Sequence, residues 1–179
     1  LTRYLALLET VFLVQRLPAW SRNLGKRLVK APKLHVVDSG LACHLMGADA
    51  RRLSEDRQML GRLLESFVVG ELRKQVSWTD PRTALYHFRT ATGSEVDAML
   101  EKPDGSVAAI EVKASATVAA SDTAALRALR DDEEGEVSYA ISLVGSSDLA
   151  WCCIWATNSC RPATSCGSCR YRCCGRREA

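Results

Sequence analysis

Val107-Ala108-Ala109-Ile110-Glu111-Val112-Lys113 reads as a strand that ends on a carboxylate and an ammonium two positions apart. Residues i and i+2 of a strand share a face. Ile110 and Val112 are therefore expected to point toward a core, with Glu111 and Lys113 on the polar side. Just upstream, Glu95-Val96-Asp97-Ala98-Met99-Leu100 alternates in the same way. Val96, Ala98 and Leu100 are expected inward and Asp97 outward. Two carboxylates and a lysine on one polar face have a chemical use. Carboxylate oxygens are the ligands that a hard divalent cation such as Mg²⁺ prefers, and a neighbouring lysine can orient a water or stabilise developing charge. Charges alternating along a solvated strand would give the same pattern with no chemistry attached.

Upstream of these strands, residues 53–78 read as one long helix. Leu60, Leu64, Val68, Leu72 and Val76 recur every four residues, and Leu63 and Phe67 widen the stripe. Glu65 lies at the edge of that stripe, and Gly61 leaves room one turn earlier. After the helix, Leu85-Tyr86-His87-Phe88-Arg89 reads as a strand, 90–94 as a turn around Gly93, and 95–101 as the return strand. Lys102-Pro103-Asp104-Gly105 is a second turn signal. A further helix is expected over 119–130. The order is helix, three strands, helix.

A helix bearing Glu65, then Asp97, then Glu111-x-Lys113 resembles the PD-(D/E)xK nuclease-like core. More closely, the chain is similar to the uncharacterised C-terminal region of a family of prokaryotic AAA-type ATP-binding proteins. The stretches that carry this are Leu1-Thr2-Arg3-Tyr4-Leu5-Ala6-Leu7-Leu8-Glu9, Trp20-Ser21-Arg22-Asn23-Leu24-Gly25-Lys26-Arg27, Val36-Val37-Asp38-Ser39-Gly40-Leu41-Ala42, 61–71, Ser94-Glu95-Val96-Asp97 and Ile110-Glu111-Val112-Lys113. The resemblance implies an α/β (α+β) chain: a winged-helix half over 1–50, then an αβββα nuclease-like core over 51–134. It implies that Asp97 and Glu111 hold Mg²⁺ or Mn²⁺, that Glu65 completes the shell, and that Lys113 positions the attacking water. It also implies an ATPase module ahead of residue 1 and a cytoplasmic setting. Such cores serve as non-catalytic modules too, so fold does not fix function.

A chain of 179 residues can bury a real core, and 47% hydrophobic with 25% charged residues is ordinary for a globular protein. No apolar run approaches the roughly 18–20 residues of a membrane span, and no signal peptide opens the chain. No membrane partner is expected. Leu1, Leu5, Leu8 and Phe12 fall at helical spacing with no N-cap before them, so the chain is expected to begin inside a larger protein. Gly25-Lys26 lacks the upstream glycine and following hydroxyl of a nucleotide-binding loop, and no ATP site is expected here. The net charge of +3 says little, but 16–33 holds six Lys or Arg and no acid. This basic loop lies between the apolar runs Val11-Phe12-Leu13-Val14 and Leu34-His35-Val36-Val37. It fits the wing of a winged helix, with Arg22, Lys26, Arg27 and Lys30 as candidate contacts to nucleic-acid phosphates. Docking on the ATPase module is the equal alternative. Asp38 or Ser39 is expected to cap a helix over 40–46 that ends at Gly47. His35, His44 and His87 are scattered and read as structural.

Seven of the eight cysteines fall within 152–174. Cys166-x2-Cys169 has zinc-knuckle spacing, but the segment lacks apolar periodicity and a nearby histidine. A frameshift explains the abrupt change in composition. Read from the third base of each codon, Ala150-Trp151-Cys152-Cys153-Ile154-Trp155 yields Leu/Met/Val, Val, Leu, His/Tyr, Leu/Met and then Gly, which is a strand and its turn. The region 135–179 is therefore expected to be an aberrant, irregular tail without a zinc site.

Overall fold

The computed structural model describes residues 2–23, 25, 27, 30–90, 93, 95–114, 126, 129, 137–145 and 151–155, the last two ranges as backbone. The architecture is a mixture of helices and strands. The N-terminal part comprises α1 (Thr2–Thr10), β1 (Val14–Leu17) and β2 (Lys33–Val36), followed by α2 (Ser39–Leu45) and α3 (Ala50–Glu55). Then come α4 (Arg57–Thr79), β3 (Ala84–Arg89), β4 (Glu95–Glu101), β5 (Val107–Lys113), β6 (Val137–Gly145) and β7 (Trp151–Trp155).

Local chemistry sets the boundaries. Asp38 caps α2 by accepting from Leu41 N at 2.8 Å, and Gly47, at φ 61°, follows its end. The helix expected over 53–78 is two helices. Asp56 leaves the helical region (φ −101°, ψ 88°) and caps α4, its carboxylate accepting from Met59 N at 2.9 Å. The Lys102-Pro103-Asp104-Gly105 turn closes as expected: Lys102 N donates to Ser106 O at 2.9 Å, and Gly105 takes φ 84°.

β1 and β2 form a two-stranded antiparallel sheet, with Lys33 opposite Leu17 and His35 opposite Gln15. The second sheet has the order β3-β4-β5-β6-β7. Its first three strands are an antiparallel meander, β6 joins β5 in parallel, and β7 returns antiparallel. The sheet thus continues past the acidic run 131–134, where the sequence reading ended the nuclease-like core. β7 uses Trp151–Trp155 in the chain's own reading frame. Residues 156–179, with Cys166 and Cys169, lie outside the described residues, as does most of the helix expected over 119–130.

Two buried clusters hold the second sheet. One joins Leu17, Val68 and Val69 to Ala98, Ile110 and Val112. The other joins Trp20, Met99, Val107 and Ala109 to Leu126 and Leu129. Ala109 and Ile110 are neighbours on one strand, so the clusters lie on opposite faces. The face expected to be polar is covered rather than open to solvent at Glu111, which is only 6% exposed. Phe67, expected within the apolar stripe of α4, is exposed.

Several contacts join the N-terminal part to the rest. α4 packs close to β1–β2 at Gly70, where an added Cβ would stand 3.8 Å from Gln15 Nε2. Arg73 Nη2 donates to Arg16 O at 2.8 Å, and His35 Nδ1 lies 3.1 Å from Ser66 Oγ. The segment after β1 then runs along the β3 edge. His87 N donates to Pro18 O at 2.9 Å, and Trp20 N donates to His87 O at 2.6 Å. Ala19 forms a parallel bridge with His87.

Candidate functional site

Antiparallel pairing brings Asp97 and Glu111 together. Ala98 faces Ile110, so one step further along, Asp97 faces Glu111. The backbone pairing ends at Ala98 and Ile110, and the Asp97 side chain continues it: Oδ2 accepts from Val112 N at 2.9 Å. Glu111 Oε1 takes the Lys113 ammonium at 2.7 Å. Its other oxygen, Oε2, is buried without a hydrogen-bond partner. An unsatisfied buried oxygen is costly, and the environment answers by favouring protonation. Burial and the neighbouring Asp97 push the Glu111 carboxyl up to about 7, against the pull of Lys113 and Lys33.

Glu65 reaches the same place from α4. It meets Lys33, the first residue of β2, whose ammonium stands 2.6 Å from Glu65 Oε1, 2.5 Å from Glu95 Oε1 and 3.4 Å from Asp97 Oδ1. Burial opposes the charged form of Lys33, but the hydrogen bonds to Glu65 and Glu95 outweigh it and raise its pKa. Burial and Asp97 raise the Glu65 carboxyl despite its bond to Lys33. The structure therefore brings Glu65, Asp97, Glu111 and Lys113 into one electrostatically coupled neighbourhood. It adds Lys33 and Glu95, which sequence reasoning missed. A signal was there: Glu95 and Asp97 are two apart on one strand, and Lys33 shares a β2 face with buried His35.

The donor set suits a divalent cation in kind: carboxylates only, one with an orphaned buried oxygen. Among the described residues, no three His, Cys, Asp or Glu side chains are gathered so as to hold a metal as they stand. Lys33 is bound among the carboxylates instead. A groove of about 280 Å³ lined by Leu72, Val76, Thr79, Leu100 and Val107 lies toward the other end of α4, away from these groups.

The basic loop is largely engaged within the chain. Arg27 grips Glu101 with both terminal nitrogens, at 2.7 Å each, and also bonds to Ser21 O and, at 3.2 Å, to Tyr86 OH. Its guanidinium stacks 4.9 Å from the Tyr86 ring and 5.6 Å from that of Trp20. Trp20 Nε1 donates to Glu101 at 3.3 Å. Lys30 donates to Arg89 O at 3.1 Å and lies over the Phe88 ring. Arg22 is exposed; Lys26 lies outside the described residues. His35 and His87 are buried, and His35 is held neutral, its pKa lowered to about 4 by burial and by Lys33.

Residues 60–152, just over half of the chain, match the family model described as Domain of unknown function (DUF4143). Residues 1–52 match a second, Domain of unknown function (DUF8612). The chain is 33% identical over 115 residues to an uncharacterised protein of Mycobacterium bovis and equally to one of Mycobacterium tuberculosis, covering 64% of this chain and 25% of each relative. It thus spans about a quarter of the length of the curated relatives it matches. No solved structure matches. Among the described residues, no helix is long and apolar enough to cross a membrane.

Proposed function

We propose that this chain, which belongs to the DUF4143 family of domains of unknown function, carries a metal-dependent phosphodiesterase site of PD-(D/E)xK type. The observation that supports it best is Glu111 Oε2, buried and unpartnered beside Asp97. In this reading Asp97 and Glu111 hold Mg²⁺ or Mn²⁺ and Glu65 completes or orients the shell. When bound, the ion supplies Lewis-acid polarisation of the phosphodiester and a lowered pKa for the attacking water. Lys113, fixed by its pair with Glu111, orients that water. Asp97 is itself fixed through Val112 N, so the carboxylate needs little reorganisation.

The substrate class we infer is nucleic acid, with the winged-helix-like part and its exposed Arg22 meeting the phosphates. The relatives' greater length fits the further proposal that the chain is a C-terminal part of a cytoplasmic AAA-type ATP-binding protein. The second reading is a non-catalytic docking module of that protein. The engagement of Arg27 and Lys30 within the chain favours it.

Cleavage of plasmid and single-stranded DNA with Mn²⁺ or Mg²⁺ separates the two. In the catalytic reading, Asp97→Ala and Lys113→Ala each lower the rate by about 10²–10³-fold, equivalent to the several kcal/mol that metal-assisted catalysis supplies. A folded chain that cleaves nothing transfers the conclusion to the docking module.

A further inference from the structure

We propose that Lys33 is a tethered resident cation of the carboxylate site, which a divalent ion must displace before it can engage Asp97 and Glu65. The inference rests on the metal-dependent reading above and adds to it a residue from outside the matched nuclease-like strands.

The number and placement of the donors carry the argument. An ammonium has three N–H groups and no acceptor, and Lys33 faces three carboxylates, Glu65, Glu95 and Asp97. The oxygens it takes are the ones an ion would need. Asp97 Oδ2 is committed to Val112 N, which leaves Oδ1, and Oδ1 faces Lys33. Glu65 offers Oε1, and the same ammonium sits on it at 2.6 Å. A divalent ion binds carboxylate oxygen at about 2.1 Å. Two cations on the same oxygens repel strongly where water is scarce, so occupancy by one excludes the other.

Charge points the same way. Among the described residues, Glu65, Glu95, Asp97 and Glu111 stand against Lys33, Lys113 and Arg89, the last 4.0 Å from Glu95, so the carboxylates outnumber the cations by one. A lysine alone satisfies the hydrogen bonds but not the charge. Orphaned Glu111 Oε2 marks where compensation is missing. Withdrawal of Lys33 is also mechanically easy. It opens β2, and its four-carbon stem can swing the ammonium outward by rotamer change while the Lys33–Leu17 pairing of the backbone stays intact.

The test is Mn²⁺ binding by titration calorimetry to the full chain, comparing wild type with Lys33→Met and Lys33→Arg, with folding checked by circular dichroism. Lys33→Met should bind Mn²⁺ about tenfold tighter or more, Lys33→Arg about as wild type, and Lys33→Met/Asp97→Asn should lose the gain. In wild type, saturating Mn²⁺ should raise acetylation of Lys33 by acetic anhydride at least about threefold, read by mass spectrometry against the exposed Lys74. Equal Asp97-dependent affinity in wild type and folded Lys33→Met, or Lys33 acetylation unmoved by bound Mn²⁺, would overturn the inference and leave the metal reading standing. No Mn²⁺ binding by any folded variant would sink both. If Lys33→Met does not fold, acetylation of the wild type decides alone.

Discussion

The two ends of β4 are built from the same parts and reach different electrostatic outcomes. At one end Glu101 receives Arg27, and at the other Glu95 and Asp97 receive Lys33; both cations come from the basic stretch 16–33. At the Glu101 end one guanidinium meets one carboxylate with two parallel bonds, an indole N–H adds a third, and two aromatic rings cover the cation. Charge and hydrogen bonds close together there. At the Asp97 end the Lys33 ammonium is spread over three carboxylates, with Arg89 only at 4.0 Å from Glu95 and the Glu111–Lys113 pair beside them. The first arrangement is finished and serves stability. The second is left with excess negative charge, and unfinished electrostatics are where chemistry or ligand binding is to be sought.

Three substitutions test whether the two ends differ in this way. The largest effect on stability is expected from Arg27→Ala. It leaves Glu101 facing Trp20 without its counter-charge, in a site that is mostly but not wholly buried. A loss of about 3 kcal/mol follows from the cost of stranding one partner of such a pair, read as a lower urea midpoint. Mn²⁺ affinity should not change; a parallel loss of both would mean that the two ends are not independent.

Glu111→Gln should act in the opposite direction and only at high pH. The Glu111 carboxyl takes its proton at about 7 in the folded chain, against an ordinary value of 4.5. The folded state therefore binds more protons between those values. Glu111 favours folding fully below 4.5, and this contribution is lost as pH rises through 7. Removing the charge should gain about 3 kcal/mol at pH 8, the worth of a shift of that size, in which the pull of Lys113 is already included. Near pH 4.5 the gain should vanish. Urea unfolding at the two pH values checks it, and a pH-independent difference would mean that Glu111 is not strained by charge.

The smallest effect belongs to Lys30→Ala, which removes one hydrogen bond to a carbonyl and a ring contact at 5.6 Å. About 0.5–1 kcal/mol is expected in thermal or urea unfolding. If DNA affinity falls with it far more than stability does, the basic loop serves nucleic acid as well as the fold.

Much of this was legible from the order of residues. The period-two runs marked β4 and β5 and put Asp97 and Glu111 on one polar face; that the two stand opposite each other comes from the pairing register. Asp38 and Gly47 bounded α2 as short-range chemistry should. What escaped is long-range. Nothing near Asp56 in the apolar pattern announces a break, because an aspartate can cap a new helix as readily as it can sit on an old one. The burial of Glu111 depends on both faces of the sheet being covered, and alternation alone cannot reveal a covering layer. Lys33 lies 32 positions before Glu65 and 64 before Asp97, beyond any local rule, and in sequence it is one basic residue among six.

The bridge between Ala19 and His87 has a consequence for how the chain acquires its structure. The matches to two family models, ending at 52 and beginning at 60, suggest two separable pieces. Yet Trp20 and Arg27 meet Glu101, and Lys33 meets Glu65, Glu95 and Asp97, in a helix and strands that emerge from the ribosome much later. Until β3 and β4 are made, the first segment carries an unpaired edge, an uncovered indole and cations without counterions. Its consolidation must wait for the sheet, so the boundary drawn by ancestry is not a boundary of cooperativity, and the two pieces are expected to fold as one unit.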